Sequence, residues 1–231
     1  FSRSIKMTKN LYIKNMGEKA KVAYSHLSKL NSSKRNSVLK QFNKYLKTNS
    51  NLILKNNKKD VTNAISKKIE QSKIERLRLS KKKINEIIKS IEKIIKFSDP
   101  LAKTLSSWKR PNGLVIKRVS IPIGVIGVIY ESRPNVTSDV SALCFKSGNV
   151  VILRGGSEAI HSNKLLAKLF RKALKKMGCD ENCVQFVESK NRNNVDYLLS
   201  NMENYIDVII PRGGKSLIKK VLKKSTVSII G

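Results

Sequence analysis

The chain has 231 residues, 48 Lys and Arg against 16 Asp and Glu, and a formal net charge of +32. That length allows one or two domains with a sizeable core. No run of about 18 apolar residues occurs, so no transmembrane helix is expected, and FSRSIKMTKN lacks the apolar stretch of a secretory signal.

The charge is spread rather than clustered. Residues 1–110 carry 29 basic and 7 acidic residues; residues 111–231 carry 19 and 9. The basic residues are 37 Lys and 11 Arg, beside 21 Asn and 25 Ile. Lys, Asn and Ile share A/T-rich codons, so the profile fits mutational drift. Phosphate and base readers favour the planar Arg fork, and 6% aromatic residues is thin for base stacking. No specific nucleic-acid partner is expected. Cys144, Cys179 and Cys183 form an odd set without zinc spacing. They read as free thiols in a reducing cytoplasm, with no metal site.

Before residue 111 the apolar pattern is helical. Val38, Phe42, Tyr45 and Leu46, then Leu52 and Ile53, recur at three and four. Ile84, Ile87, Ile88, Ile91, Ile94 and Ile95 make a second stripe, ended by Asp99-Pro100. Its Lys-rich face would suit anionic lipid, but the regular aliphatic stripe favours a helix packed on a core. After the turn Pro111-Asn112-Gly113 the pattern changes to strands. These are expected at Leu114–Val119, Ile123–Tyr130, Val150–Leu153, Val184–Val187, Ile206–Ile210 and, last, Thr226–Ile230. Helices are expected at Val136–Lys146, Glu158–Met177, Asn194–Leu199 and Ser216–Lys224, with Gly148 and Gly178 as helix stops. Strict alternation means a parallel α/β sheet.

Three strand ends share a character: Arg133-Pro134-Asn135, Arg154-Gly155-Gly156 and Arg212-Gly213-Gly214. Glycine lets backbone N–H groups approach an anion, a following helix offers its positive end, and Arg adds directional donors. Gly simply closing tight turns is the bland reading of any one. Three in parallel point to a phosphorylated ligand beyond the carboxyl ends of the strands. No GxGxxG or GxxxxGK[ST] pattern is present; Gly124 and Gly127 read as lying inside a strand, relieving crowding.

The stretches PIGVIGVIYESRPNVTSDVSALCFKSGNVVILRGG and IDVIIPRGGKSL resemble the gamma-glutamyl phosphate reductase (glutamate-5-semialdehyde dehydrogenase) branch of the aldehyde dehydrogenase superfamily. The similarity runs from about Met16 to Gly231. It implies an aldehyde-dehydrogenase-like α/β fold. Residues 1–111 would be the helical part of the cofactor-binding domain, 112–122 a strand of a bridging or oligomerisation hairpin, and 123–231 the Rossmann-like core. The implied activity is NADPH-dependent reduction of L-glutamyl 5-phosphate to L-glutamate 5-semialdehyde and phosphate, in cytoplasmic proline biosynthesis by a homo-oligomer. In the family a Cys thiolate attacks the acyl phosphate and hydride from the nicotinamide reduces the resulting thioester.

Carried onto this chain, Arg154, Gly155, Gly156 and Ser157 would hold the cofactor's ribose and phosphates, with Arg154 suited to an adenosine 2′-phosphate. Arg212, Gly213 and Gly214 would open the helix beneath the pyrophosphate. Asn135 lies near the oxyanion-stabilising Asn, and Arg133 would contact the substrate. Position 1 is Phe rather than Met, and the chain stops at Ser228-Ile229-Ile230-Gly231 where the family continues. The nucleophilic Cys and the catalytic domain are therefore expected outside a truncated or partial sequence. A catalytically inactive dinucleotide-binding remnant is the alternative.

Overall fold

The computed structural model describes residues 2–189 and 191–231. Helix α1 (Ser2–Leu27) buries Ile13, Met16, Ala20, Ala23 and Leu27 at alternating three- and four-residue steps. Helix α2 (Ser32–Thr48) starts where the Asn31 side chain accepts from the Lys34 amide at 2.8 Å, an N-cap. It buries Val38, Leu39, Phe42 and Leu46. Helix α3 (Ser50–Ser66) and the short α4 (Gln71–Leu77) follow. Helix α5 (Lys81–Lys96), capped by Ser80, turns Ile84, Ile87, Ile91 and Ile94 inward, so the Ile stripe is a core-facing helix.

The join of α3 to α4 is unusual. Lys68 adopts φ +51° in a turn where its N–H donates to Ile65 O and that of Ile69 donates to Ala64 O. Glycine ordinarily takes this left-handed position. A side chain there costs about 1–2 kcal/mol.

Strands β1 (Thr104–Lys109) and β2 (Val115–Val119) form an antiparallel hairpin. Gly113 supplies the left-handed turn at φ +90°. Neither strand buries a residue, and Leu105, Trp108, Leu114, Val115 and Val119 are exposed. The partner strand β1 has no alternating pattern to reveal it in the sequence.

The core is a four-stranded parallel sheet of order β5-β4-β3-β6, with β3 (Val125–Tyr130), β4 (Val150–Arg154), β5 (Val184–Phe186) and β6 (Val208–Arg212). All six residues of β3 are buried, as two covered faces require. Helices α6 (Pro134–Lys146) and α7 (Ile160–Lys176) join α2 and α5 in one packed layer. Phe170 binds that layer together, meeting Phe42 in a tilted pair at 4.6 Å and Phe145 edge-on at 5.8 Å between ring centroids. Helix α8 (Arg192–Ser200) packs against α1 and against α9 (Lys215–Lys224). Gly148 and Gly178 stop α6 and α7 with φ +72° and +66°.

Two expectations need correction. Thr226–Ile230 forms no fifth strand; it makes a single parallel bridge, Ile209 to Ile229. Gly124 precedes β3 rather than lying in it. Its φ is +132°, and a side chain there would strike the Asp207 carboxylate that accepts from the Val125 amide at 2.7 Å.

Helix α7 is aimed by a fully buried carboxylate from α3. Asp60 accepts from the Ser162 amide at 2.8 Å, the Ser162 hydroxyl at 2.7 Å and the His161 amide at 3.1 Å. Asn57 adds a bond to the Ser162 hydroxyl at 3.1 Å and accepts from the Leu79 amide at 2.7 Å. A negative charge at a helix start satisfies orphan N–H groups and the helix dipole together. Asp60→Ala strands these buried donors, so a loss of about 2–4 kcal/mol in urea denaturation is expected; a loss under about 1 kcal/mol would show that the cap does not hold α7.

Candidate functional site

Parallel pairing puts three strand tips side by side. Ile129 lies opposite Arg154, and Tyr130 opposite Arg212. The chain runs from β3 outward to β4 and β5, then returns to the other side of β3 with β6. Such a switch point opens a crevice at the carboxyl edge. A pocket of about 530 Å³ lies there. Its floor is the end of β3 with Arg154, Gly156, Ser157 and Glu158. One wall is mostly apolar, from Val195 and Leu199 of α8 and Leu217 and Val221 of α9, with Lys220 of α9 beside them. The opposite rim is the α3–α4 turn, with Lys67, Lys68 and Lys73 beside Glu70.

The glycines of the second turn are needed for space. A Cβ on Gly155 would overlap the Asn163 amide and come within 3.0 Å of the Tyr130 ring. The Tyr130 hydroxyl in turn shares a 2.6 Å hydrogen bond with Thr137, which donates to Asn163 at 3.0 Å. Burial raises the Tyr130 pKa further, so it stays a neutral phenol. A Cβ on Gly156 would meet Glu158, whose carboxylate accepts from the buried Ser132 hydroxyl. The Arg154 guanidinium donates to the Gly155 carbonyl. Burial pushes its pKa down, and Glu158 and Tyr130 act against that shift.

The third turn already carries an anion. Glu131 accepts from the Gly214 amide at 3.1 Å, at the start of α9. Arg212, Gly213 and Gly214 are exposed around it. Arg133 is exposed at the start of α6, and neither it nor Arg212 lines the pocket with Arg154. Asn135 faces elsewhere. Its amide donates to Asp139 at 3.2 Å in a separate pocket between α5 and α6. Pro134 fixes the first turn of α6, and Asn135 and Asp139 stand one turn apart on one face. The structure thus brings Arg154, Gly156 and Ser157 into the crevice, buries Gly155 against Tyr130 and Asn163, leaves Arg212 to Gly214 at the rim, and sets Asn135 apart.

Sequence patterns missed the α8–α9 wall and the lysine rim, and gave Glu131 no role within the turn after β3. The wall had a signal, since Val195, Leu199, Leu217 and Val221 each sit at a helical i, i+4 step. The rim had none, because Lys67 to Lys73 read as one more charge run. A larger cavity, about 820 Å³, opens between α1, α7 and β5, with Lys19, Lys168 and Gln185 in its lining. The segment after β5 reaches it through Glu188 and Ser189, but none of the three arginine-bearing turns does.

The thiols take no part in this crevice. Burial pushes Cys144 and Cys183 up to about 12, and raises half-buried Cys179 less. No cluster of three metal-ligating side chains occurs among the described residues. No helix among them is long and apolar enough to cross a membrane. Native protein at pH 8 is expected to react slowly with a thiol reagent, Cys179 first; rapid labelling of all three thiols would contradict this burial. Gly155→Ala should cost about 1–3 kcal/mol in urea denaturation through overpacking on Tyr130, and an unchanged midpoint would refute the close approach.

Residues 4–230 match the aldehyde dehydrogenase family. A gamma-glutamyl phosphate reductase from Clostridium tetani is 43% identical over 221 residues, covering 96% of this chain and 51% of its own length. One from Hydrogenobaculum sp. is 46% identical over 220 residues, covering 95% and 50%. The crystal structure of the gamma-glutamyl phosphate reductase from Thermotoga maritima superposes with a TM-score of 0.91 at 38% identity, over 94% of this chain and 52% of that one. A probable aldehyde dehydrogenase from Listeria monocytogenes shares the fold, with a TM-score of 0.74 at 17% identity over 97% of this chain and 46% of that one. The chain spans about half the length of the curated relatives it matches. With the strand-tip crevice in place and the match running almost end to end, the chain belongs to the aldehyde dehydrogenase family.

Proposed function

We propose that this chain is the dinucleotide-binding part of a reductase that converts L-glutamyl 5-phosphate to L-glutamate 5-semialdehyde and phosphate with NADPH, in the cytoplasmic synthesis of proline. The observation that carries it is the crevice at the sheet's carboxyl edge, with an apolar slot on one side and cations on the other. An adenine fits between Val195 and Leu199 on one helix and Leu217 and Val221 on the next, as apolar pockets with a few placed polar groups require. The half-buried Arg154, with the lysines of the α3–α4 turn across the crevice, suits a 2′-phosphate. Ser157 and the Gly156 backbone line the crevice where the ribose would lie. The similarity to gamma-glutamyl phosphate reductases supplies the substrate.

Bound nicotinamide supplies the hydride that reduces the acyl carbon. The residues of this chain bind and orient. Gly213 and Gly214 open the start of α9 to a pyrophosphate, for which the Glu131 carboxylate must swing away from the Gly214 amide. Arg133, exposed at the tip of β3, is free to meet the acyl phosphate. The nucleophilic Cys is supplied from outside this span, in keeping with the relatives' greater length. The exposed apolar residues of the β1–β2 hairpin suit a neighbouring copy in a homo-oligomer.

Titration followed by nicotinamide fluorescence tests the cofactor reading. NADPH should bind, and Arg154→Ala should weaken NADPH about tenfold while changing NADH by less than about twofold, as loss of a charge-assisted contact implies. No binding of either nucleotide, or equal losses for both, would overturn it.

A further inference from the structure

Between α5 and α6 lies a second, smaller pocket of about 350 Å³, away from the dinucleotide crevice. That volume is at the small end of ligand sites. Its lining carries two cations, Arg76 and Lys83, and two carboxylates, Glu86 and Asp139, with Ser90 and Asn135 between them. Balanced charges of both signs suit a zwitterion better than a simple anion or cation.

The groups are unequally occupied. Lys83 is committed, donating to the Glu75 carbonyl at 3.1 Å and the Arg78 carbonyl at 2.7 Å. Arg76 is exposed and has no acidic partner among the described residues. Asp139 accepts from Asn135 through Oδ2, but its Oδ1 is buried without a hydrogen bond. Burial pushes the Asp139 carboxyl up, against the pull of Asn135 and Ser90. A buried carboxylate oxygen left unpaired is costly, and a rotation of the Asp139 side chain toward a cationic ligand group would remove the cost.

The pocket also adjoins the tip of β3, since Asn135 in its lining stands two residues after Arg133. Asp139 lies six residues beyond Arg133, about 9 Å along the α6 axis at 1.5 Å per residue.

We infer that the α5–α6 pocket holds the α-amino-acid head of the substrate, with Asp139 receiving the ammonium and Arg76 the carboxylate, so that the γ-acyl group reaches the tip of β3. This rests on the reading of the chain as part of a glutamyl phosphate reductase and adds its specificity residues. The site selects an amino acid with an acidic side arm over molecules lacking either head group.

Calorimetric or NMR titration with three probes tests it: L-glutamate, glutarate without the ammonium, and 4-aminobutyrate without the α-carboxylate. L-glutamate should bind at least tenfold tighter than either. Asp139→Asn should erase the preference over glutarate, and Arg76→Gln the preference over 4-aminobutyrate. Both variants should keep NADPH binding, which reports an intact fold and crevice. Equal binding of the three probes to the unaltered protein, or preferences that survive both substitutions, overturns the inference. Failure of the unaltered protein to bind NADPH strikes the cofactor reading instead and leaves the probe result to decide this one.

Discussion

Strand β3 is buried along its whole length and hydrogen-bonded on both flanks, to β4 and to β6. Those two ladders fix the register of three chain segments at once. They place Arg154 beside Ile129 and Arg212 beside Tyr130 at one edge of the sheet. A slip of either ladder by one residue would turn every neighbouring side chain to the other face. The crevice therefore exists because the core has no freedom to place these tips elsewhere. Polar turns can follow because the apolar runs end together.

The helical layer supports the same edge from a distance. Asp60 fixes where α7 begins, and α7 begins just after the Arg154–Ser157 turn. The α3–α4 turn is held over that segment by Val61, Ala64, Ile74 and Leu77 packed against Ala159. Lys68 holds its left-handed conformation there without glycine. Such strain persists only where the surroundings over-determine it. Packing, a buried carboxylate and a strained turn thus converge on one short stretch of chain.

Much of this was legible in the residues. Continuous apolar runs gave β3 and β4, the Ile stripe gave α5, and Gly148 and Gly178 marked helix ends. Helix α1 was harder to see, because its inward face mixes Ile13, Met16 and Leu27 with Ala20 and Ala23 among many lysines. Strand β1 was hidden for a different reason. It buries nothing, so its sequence has no period to read. At the site, the Arg-Gly-Gly turns stood out as turns, but their glycines answer to Tyr130, Asn163 and Glu131, which only the fold brings near. Asn135 drew notice as part of a tip. Its helical position turns it toward Asp139 and away from the crevice. Residues from α4 and α5 that share its pocket lie some 45 to 60 positions earlier in the chain, beyond the reach of any local pattern.

The strand-tip crevice, and not the larger cavity beside β5, is the site proposed for the dinucleotide. A structure of the protein soaked with NADPH tests it most directly. The expected result has adenine between Leu199 and Val221 and the 2′-phosphate at Arg154. Dinucleotide seated among Lys19, Lys168 and Gln185, with the crevice empty, would contradict it.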